Sequence, residues 1–114
     1  MSIDTIAAIT TAVGAAGVGI VRISGKEAAD VADRVFKGKK GKRIKNSESH
    51  RVKYGWIVGN DDELLDEALA INMWAPHSFT GEDVVELQCH GGTVVLRKVL
   101  ELVIQAKCLH IPGS

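Results

Sequence analysis

Asp83 to His90 (DVVELQCH) alternates along its length and passes across Gly91-Gly92 into a long run of helical period. Successive side chains of an extended strand point to opposite faces. Val85, Leu87 and Cys89 therefore share one face, and Val84, Glu86, Gln88 and His90 share the other. The first set is a core face. From Thr93 to Lys107, the residues Val95, Leu96, Val99, Leu102, Val103 and Ala106 recur at helical spacing and predict an amphipathic helix buried along that stripe. A strand that feeds such a helix has to belong to a sheet on which the helix can lie. It also carries a carboxylate, Glu86, mid-strand on the face turned away from the core.

The rest of the chain supplies that sheet. Thr5 to Thr10 (TIAAIT) reads as a short buried strand, and the glycine-punctuated TTAVGAAG follows as a loop. Val18 to Ile23 (VGIVRI) alternates, with Val18, Ile20 and Arg22 on one face and Gly19, Val21 and Ile23 on the other. Ser24 and Glu27 have the spacing of a capping box, and Ala28, Val31, Ala32 and Val35 extend it into a helix over Lys26 to Phe36. A basic run from Lys37 to Lys45, broken by Gly38 and Gly41, continues as a polar loop to about Ser49. Arg51 to Val58 and Leu64 to Trp74 predict a hairpin around GNDDE, ended by Ala75-Pro76 because proline removes a ladder donor. The order β-β-α-β-β-β-α gives an α+β domain, a mixed sheet of about five strands with two or three helices, two of them covering one face.

At 114 residues the chain suits a single domain, residues 1–114. Fourteen basic and fourteen acidic residues cancel, so no net charge steers it to nucleic acid or membrane. No apolar run approaches the ~20 residues that span a bilayer, the N-terminus lacks the features of a signal peptide, and two cysteines suit reduced thiols. The expectation is a cytoplasmic protein without a membrane partner.

Several constellations bear on chemistry. Gly14, Gly17 and Gly19 precede a strand instead of opening a helix, so they are not a dinucleotide fingerprint, and no GK[ST] follows a glycine-rich loop. Cys89, His90, Cys108 and His110 are the right residue types for zinc at the wrong spacing. A fifteen-residue helix between the pairs separates them by roughly 22 Å, so no metal site is expected. Arg22 is a lone charge on an otherwise apolar strand face, and Glu86 lies mid-strand on a face polar at three successive positions, Glu86, Gln88 and His90. Two readings stay open for them: a cross-strand ion pair, or a site for a planar polar ligand, since a carboxylate accepts two parallel N–H bonds from a heterocycle edge and arginine stacks on or clamps an acid. Gly91-Gly92-Thr93 at the helix start offers N–H groups to an anion, against Thr93 as an ordinary N-cap. The lysine loop offers point charges to RNA phosphates but carries no aromatic platform for bases, and the ordinary reading of such a charge run is a solvated loop.

Three segments taken together, DTIAAIT with a glycine loop and GIVRISG, then APHSFTGEDVVELQCHGG, then a helix ending near PG, resemble the N-terminal domain of the MnmE (TrmE) family of tRNA-modifying GTPases. The likeness covers essentially the whole chain, the Lys37 to Ser49 loop least. It implies a domain like the tetrahydrofolate-binding module of aminomethyltransferase-type proteins, which binds a one-carbon folate such as 5-formyltetrahydrofolate and pairs with a second copy as a homodimer. It further implies a longer protein with a helical domain and a GTPase domain that uses GTP, K+ and Mg2+. With the flavoprotein partner MnmG (GidA), that protein modifies the wobble uridine of tRNA.

By the same resemblance, the family's folate-contacting arginine falls on Arg22 and its glutamate on Glu86. Gly19, Gln88 and His90 are candidate secondary ligand contacts, and a third basic contact lies beyond Ser114. The chain departs from the family where T-P-P-G is replaced by Thr11-Ala12-Val13-Gly14 and P-G-E-F by Ile111-Pro112-Gly113-Ser114. Without a GTPase domain, residues 1–114 should hydrolyse no GTP. A structural dimerisation module without a ligand site and an RNA-binding module led by the lysine loop are the competing readings.

Overall fold

A computed structural model describes residues 5–12, 17–78, 80–106 and 109–110. In chain order the elements are β1 (Ile6–Thr11), β2 (Gly19–Ser24), α1 (Ala28–Val35), β3 (Phe36–Gly38), β4 (Arg51–Val58), β5 (Leu64–Met73), β6 (Val84–Cys89), α2 (Gly92–Gln105) and β7 (Leu109–His110), with single 3-10 turns at Lys39–Gly41 and Asn60–Asp62. One sheet contains all the strands in the order β3-β4-β5-β6-β2-β1-β7. Six strands pair antiparallel, and the two residues of β7 add a parallel partner to β1. The sheet is thus α+β as expected but wider than five strands. The two additional strands span only three and two residues, too short for a period to show.

β6 lies at the centre of the sheet, and five of its six residues are buried. Val21, Ile23, Val85, Leu87 and Cys89 turn one face of β2 and β6 into the core, where they meet Val31 and Val35 of α1 and Leu96, Val99 and Val103 of α2. α2 lies across β1 and β2, and α1 across β2 and β6. Both helices therefore cover the same face, and among the described residues no helix lies on the opposite, open face.

The start of α1 differs from a capping box. The helix begins at Ala28 with Glu27 in the N-cap position and no side-chain cap. Ser24 still belongs to β2 and bonds through Oγ to Thr80 Oγ1 at 2.7 Å. The N–H of Glu27 instead donates to Thr5 Oγ1 at 3.0 Å. Gly25 makes the turn between strand and helix at φ +139°, and a Cβ there would lie 2.7 Å from Thr5 Cα. At the second helix, Gly91 is the N-cap and Thr93 lies inside the first turn, again without a side-chain cap.

The segment after β3 is far more fixed than a solvated loop. Ile44 is only 1% exposed and belongs to the core. The Asp33 carboxylate accepts the N–H of Ile44 at 2.7 Å and of Lys45 at 3.0 Å. Trp74 Nε1 donates to the Ser47 carbonyl and Asn72 Nδ2 to the Glu48 carbonyl, both at 2.7 Å. One apolar plug and these four polar tethers hold the twelve residues 39–50 against the sheet. Replacing Ile44 with alanine should cost about 2–4 kcal/mol, since it removes a fully buried side chain. Urea unfolding measures this, and a change under about 0.5 kcal/mol would show that the plug holds nothing.

Candidate functional site

Arg22 and Glu86 stand directly opposite each other on β2 and β6. Neighbouring strands lie about 4.8 Å apart and directly opposed residues share a face, so the register alone brings the two side chains together. Arg22 Nε and Nη2 both donate to Glu86 Oε2, at 2.9 and 2.7 Å. Oε1 stays outside this pairing. The Glu86 side chain is 11% exposed and that of Arg22 28%. The pair thus sits at the middle of the open face, covered by neighbours but within reach of solvent.

Its surroundings on that face are apolar. Ile71 of β5 flanks Glu86 on one side, and Ala8 of β1 flanks Arg22 on the other. Ile20, Leu69 and Ile71 are half-buried, while Val52 and Tyr54 are well exposed. Beside Arg22 lies a cavity of about 70 Å3, walled by Ile6, Ala8 and Thr10 of β1, by Ser24, and by Thr80. The register of β1 with β2 is what brings Ile6, Ala8 and Thr10 beside Arg22, so none of these three stood out in the sequence.

Thr80 belongs to the polar turn before β6, and that turn is held at nearly every group. Asp83 Oδ1 accepts the Ala75 N–H at 2.9 Å, and the Asp83 carbonyl accepts the Gly25 N–H at 2.8 Å. Ser78 Oγ donates to the Glu82 carbonyl. Thr80 Oγ1 accepts the Glu82 N–H at 3.3 Å while bonding Ser24. The hydroxyls and the Asp83 carboxylate of S-F-T-G-E-D serve to clamp the turn against the ends of β2 and β5.

The remaining candidates separate. Gln88 is half-buried on the Glu86 face, opposite Ile20 and Leu69. Gly19 is buried and opposite Cys89, hence on the helix-covered face and out of phase with Arg22. His90 is exposed just beyond β6. Its N–H and that of Gly91 both donate to Asp66 Oδ2, at 2.7 and 2.8 Å. The N-terminus of α2 therefore carries an anion already, the chain's own Asp66 carboxylate, where the sequence left room for an external one. Nothing local marks Asp66 for this role, because its partners lie 24 and 25 residues away. Cys89 and His90 do not converge: the thiol is in the core and the imidazole outside it. Burial, with Asp66 adding to it, pushes the Cys89 thiol up to about 12. Cys108 lies outside the described residues.

A sheet with helices on one face only among the described residues, and an ion pair at the centre of the other, defines an α+β domain. The chain matches the family model described as "GTP-binding protein TrmE N-terminus" over residues 5–111, and it belongs to that family. It is 54% identical to the tRNA modification GTPase MnmE of Symbiobacterium thermophilum over 93% of its own length and 23% of the relative's. To the protein of the same name from Alkaliphilus metalliredigens it is 48% identical, over 90% of this chain and 22% of that one. To that of Caldicellulosiruptor saccharolyticus it is 47% identical, over 100% and 25%. The chain thus spans about a quarter of the length of these relatives and corresponds to their N-terminal domain.

Two outcomes follow from the geometry. Arg22→Ala strands a mostly buried carboxylate and should cost about 1–3 kcal/mol, whereas Arg22→Leu with Glu86→Leu should stay within about 1 kcal/mol of the parent, because paired removal leaves no orphan charge. Chemical denaturation of the single and double variants checks this, and equal losses in both would contradict it. Iodoacetamide at pH 8 should label Cys89 at least ~100-fold more slowly in the folded chain than in urea. Peptide mapping reads this site separately from Cys108.

Proposed function

We propose that residues 1–114 form the folate-binding and homodimerisation domain of a tRNA modification GTPase acting on the wobble uridine. The observation that carries the reading is the Arg22–Glu86 pair, lying on the open face at the two positions where the family resemblance puts folate contacts. Glu86 Oε1, outside the ion pair, is the acceptor for the N–H edge of the pterin. Arg22 orients the carboxylate through Oε2 and holds another polar part of the ligand. The ligand is 5-formyltetrahydrofolate or another one-carbon tetrahydrofolate. The wider likeness to the folate module of aminomethyltransferase-type proteins belongs to the same proposal, as do the flavoprotein partner MnmG and the GTP, K+ and Mg2+ of a GTPase domain.

Size supports the dimer half of the reading. A cavity of about 70 Å3 is far below the roughly 300–1,000 Å3 that encloses a ligand of folate's dimensions. A second surface is needed to close over the ligand, and the half-buried apolar residues Ile20, Leu69 and Ile71 around the pair suit a second copy. Ligand binding and self-association should therefore be coupled. In calorimetry with sedimentation, 5-formyltetrahydrofolate should bind the parent and shift it toward dimer, and Glu86→Ala should lower affinity at least about tenfold because a polar ligand edge loses its acceptor. Equal affinity in parent and Glu86→Ala contradicts the site. A dimer that forms identically with and without folate favours a purely structural module.

A further inference from the structure

A larger cavity includes neither Arg22 nor Glu86 and begins two strands from Glu86, through Val52 opposite Ile71 and Ile71 opposite Glu86. It has a volume of about 580 Å3 and lies between the lysine loop and the N-terminal part of β4, with Lys39, Lys40, Lys42, Arg51, Lys53 and Tyr54 on its walls. β3 pairs only with Gly55–Ile57 of β4, so residues 51–54 form a free strand edge that the loop faces across the gap. Five cations thus surround one concavity. Its one carboxylate, Glu48, is bound to the Arg51 guanidinium. Among the described residues none of Lys39, Lys40, Lys42 and Lys53 takes part in an ion pair, whereas Lys37, Arg43 and Lys45 each have one with an aspartate. The basic run is therefore sorted: the cations lining the cleft are the unneutralised ones.

The cleft is also held open. Ile44 and the Asp33 carboxylate anchor the far side of the loop. At its tip, Lys40 and Gly41 take consecutive left-handed backbone conformations, at φ +61° and +73°. Left-handed geometry is unfavourable for lysine, and the surrounding tethers sustain it. At the opposite wall, Tyr54 packs edge-on against Trp56 with ring centroids 5.4 Å apart and donates its hydroxyl to Glu67. The tyrosine ring is thereby fixed while still 41% exposed.

We propose that this cleft binds the phosphate backbone of RNA, with Tyr54 as a stacking surface for a base. Unpaired lysines at fixed positions track a polyanion by displacing its counterions, and a fixed exposed aromatic ring beside them is the combination by which single-stranded nucleic acid is held. An acidic peptide would use the charges but not the ring. RNA in place of DNA is the polymer that the proposed tRNA-modifying function supplies, and only that choice rests on that reading. Neither Arg22 nor Glu86 lines this cleft, so either site can fail alone. The competing role of the lysines is protection of the free β4 edge against self-pairing.

The test is fluorescence anisotropy of the 114-residue chain with a labelled twelve-nucleotide oligouridylate across a salt series. Log affinity should fall with log salt at a slope of about −2 to −3, as expected for three or four phosphates on a single strand. The Lys39→Gln/Lys40→Gln/Lys42→Gln variant should bind at least about tenfold more weakly at low salt with a slope reduced by about two, and the corresponding triple arginine variant should retain binding. Tyr54→Leu should weaken binding about fivefold or more with the slope unchanged. Arg97→Gln/Lys98→Gln, on the exposed side of α2, should bind as the parent does. The proposal is overturned if that control loses as much affinity, or if a twelve-residue polyglutamate binds as tightly as the RNA. It is equally overturned if the glutamine variant changes only self-association in sedimentation.

Discussion

A central strand buried on both faces has little tolerance for a charge, and β6 carries one at its midpoint. Glu86 is held there by its register with β2, which sets Arg22 directly opposite and brings two guanidinium N–H groups onto one carboxylate oxygen. Removing Arg22 leaves the Glu86 carboxylate unmatched in a mostly covered site, a loss that usually exceeds whatever the intact pair contributes. Such a pair is a poor device for stability alone. Its place on the face that no described helix covers is what fits it to the proposed ligand contact.

The two faces of the sheet divide the work. On the helix side, Val21, Ile23, Val85 and Leu87 pack beneath α1 and α2 and supply the apolar burial that holds the domain together. On the other side the same strands present Ile20, Arg22, Glu86 and Gln88, a polar centre in an apolar surround. The turn containing Thr80 and Asp83 is clamped to the ends of β2 and β5, so the rim of the small cavity is set by hydrogen bonds and not by packing. At the far end of the sheet, the anchored lysine loop keeps unneutralised cations apart from this centre. Surfaces of different character thereby coexist on one small sheet.

Much of this was legible in the alternation of residues. The phases of β2 and β6 placed Arg22 and Glu86 on one face and assigned the core residues opposite them, and β4 and β5 were visible with nearly their observed ends. What escaped was decided by tertiary contact. β3 and β7 are too short to show a period. The apparent capping box at Ser24 and Glu27 gave way because Ser24 remains in β2 and Thr5 takes over the bond to the Glu27 N–H. Asp66 at the start of α2 could not be found locally, since the N–H groups it accepts are brought to it by the pairing of β5 with β6. The lysine loop, read from its charge as solvated, is fixed by Ile44, one apolar residue among basic neighbours. Tyr54, whose ring the loop itself lacks, reaches the same cleft from the adjacent strand.

The central claim is that the open face around Arg22 and Glu86 is where the domain meets its one-carbon folate. A residue-resolved NMR titration of the isotopically labelled chain with 5-formyltetrahydrofolate tests this most directly. The account predicts saturable shifts concentrated at residues 20–24, 80 and 84–88, with the amides of 39–42 unaffected. Shifts confined to the lysine cleft, or none at millimolar ligand, would contradict it.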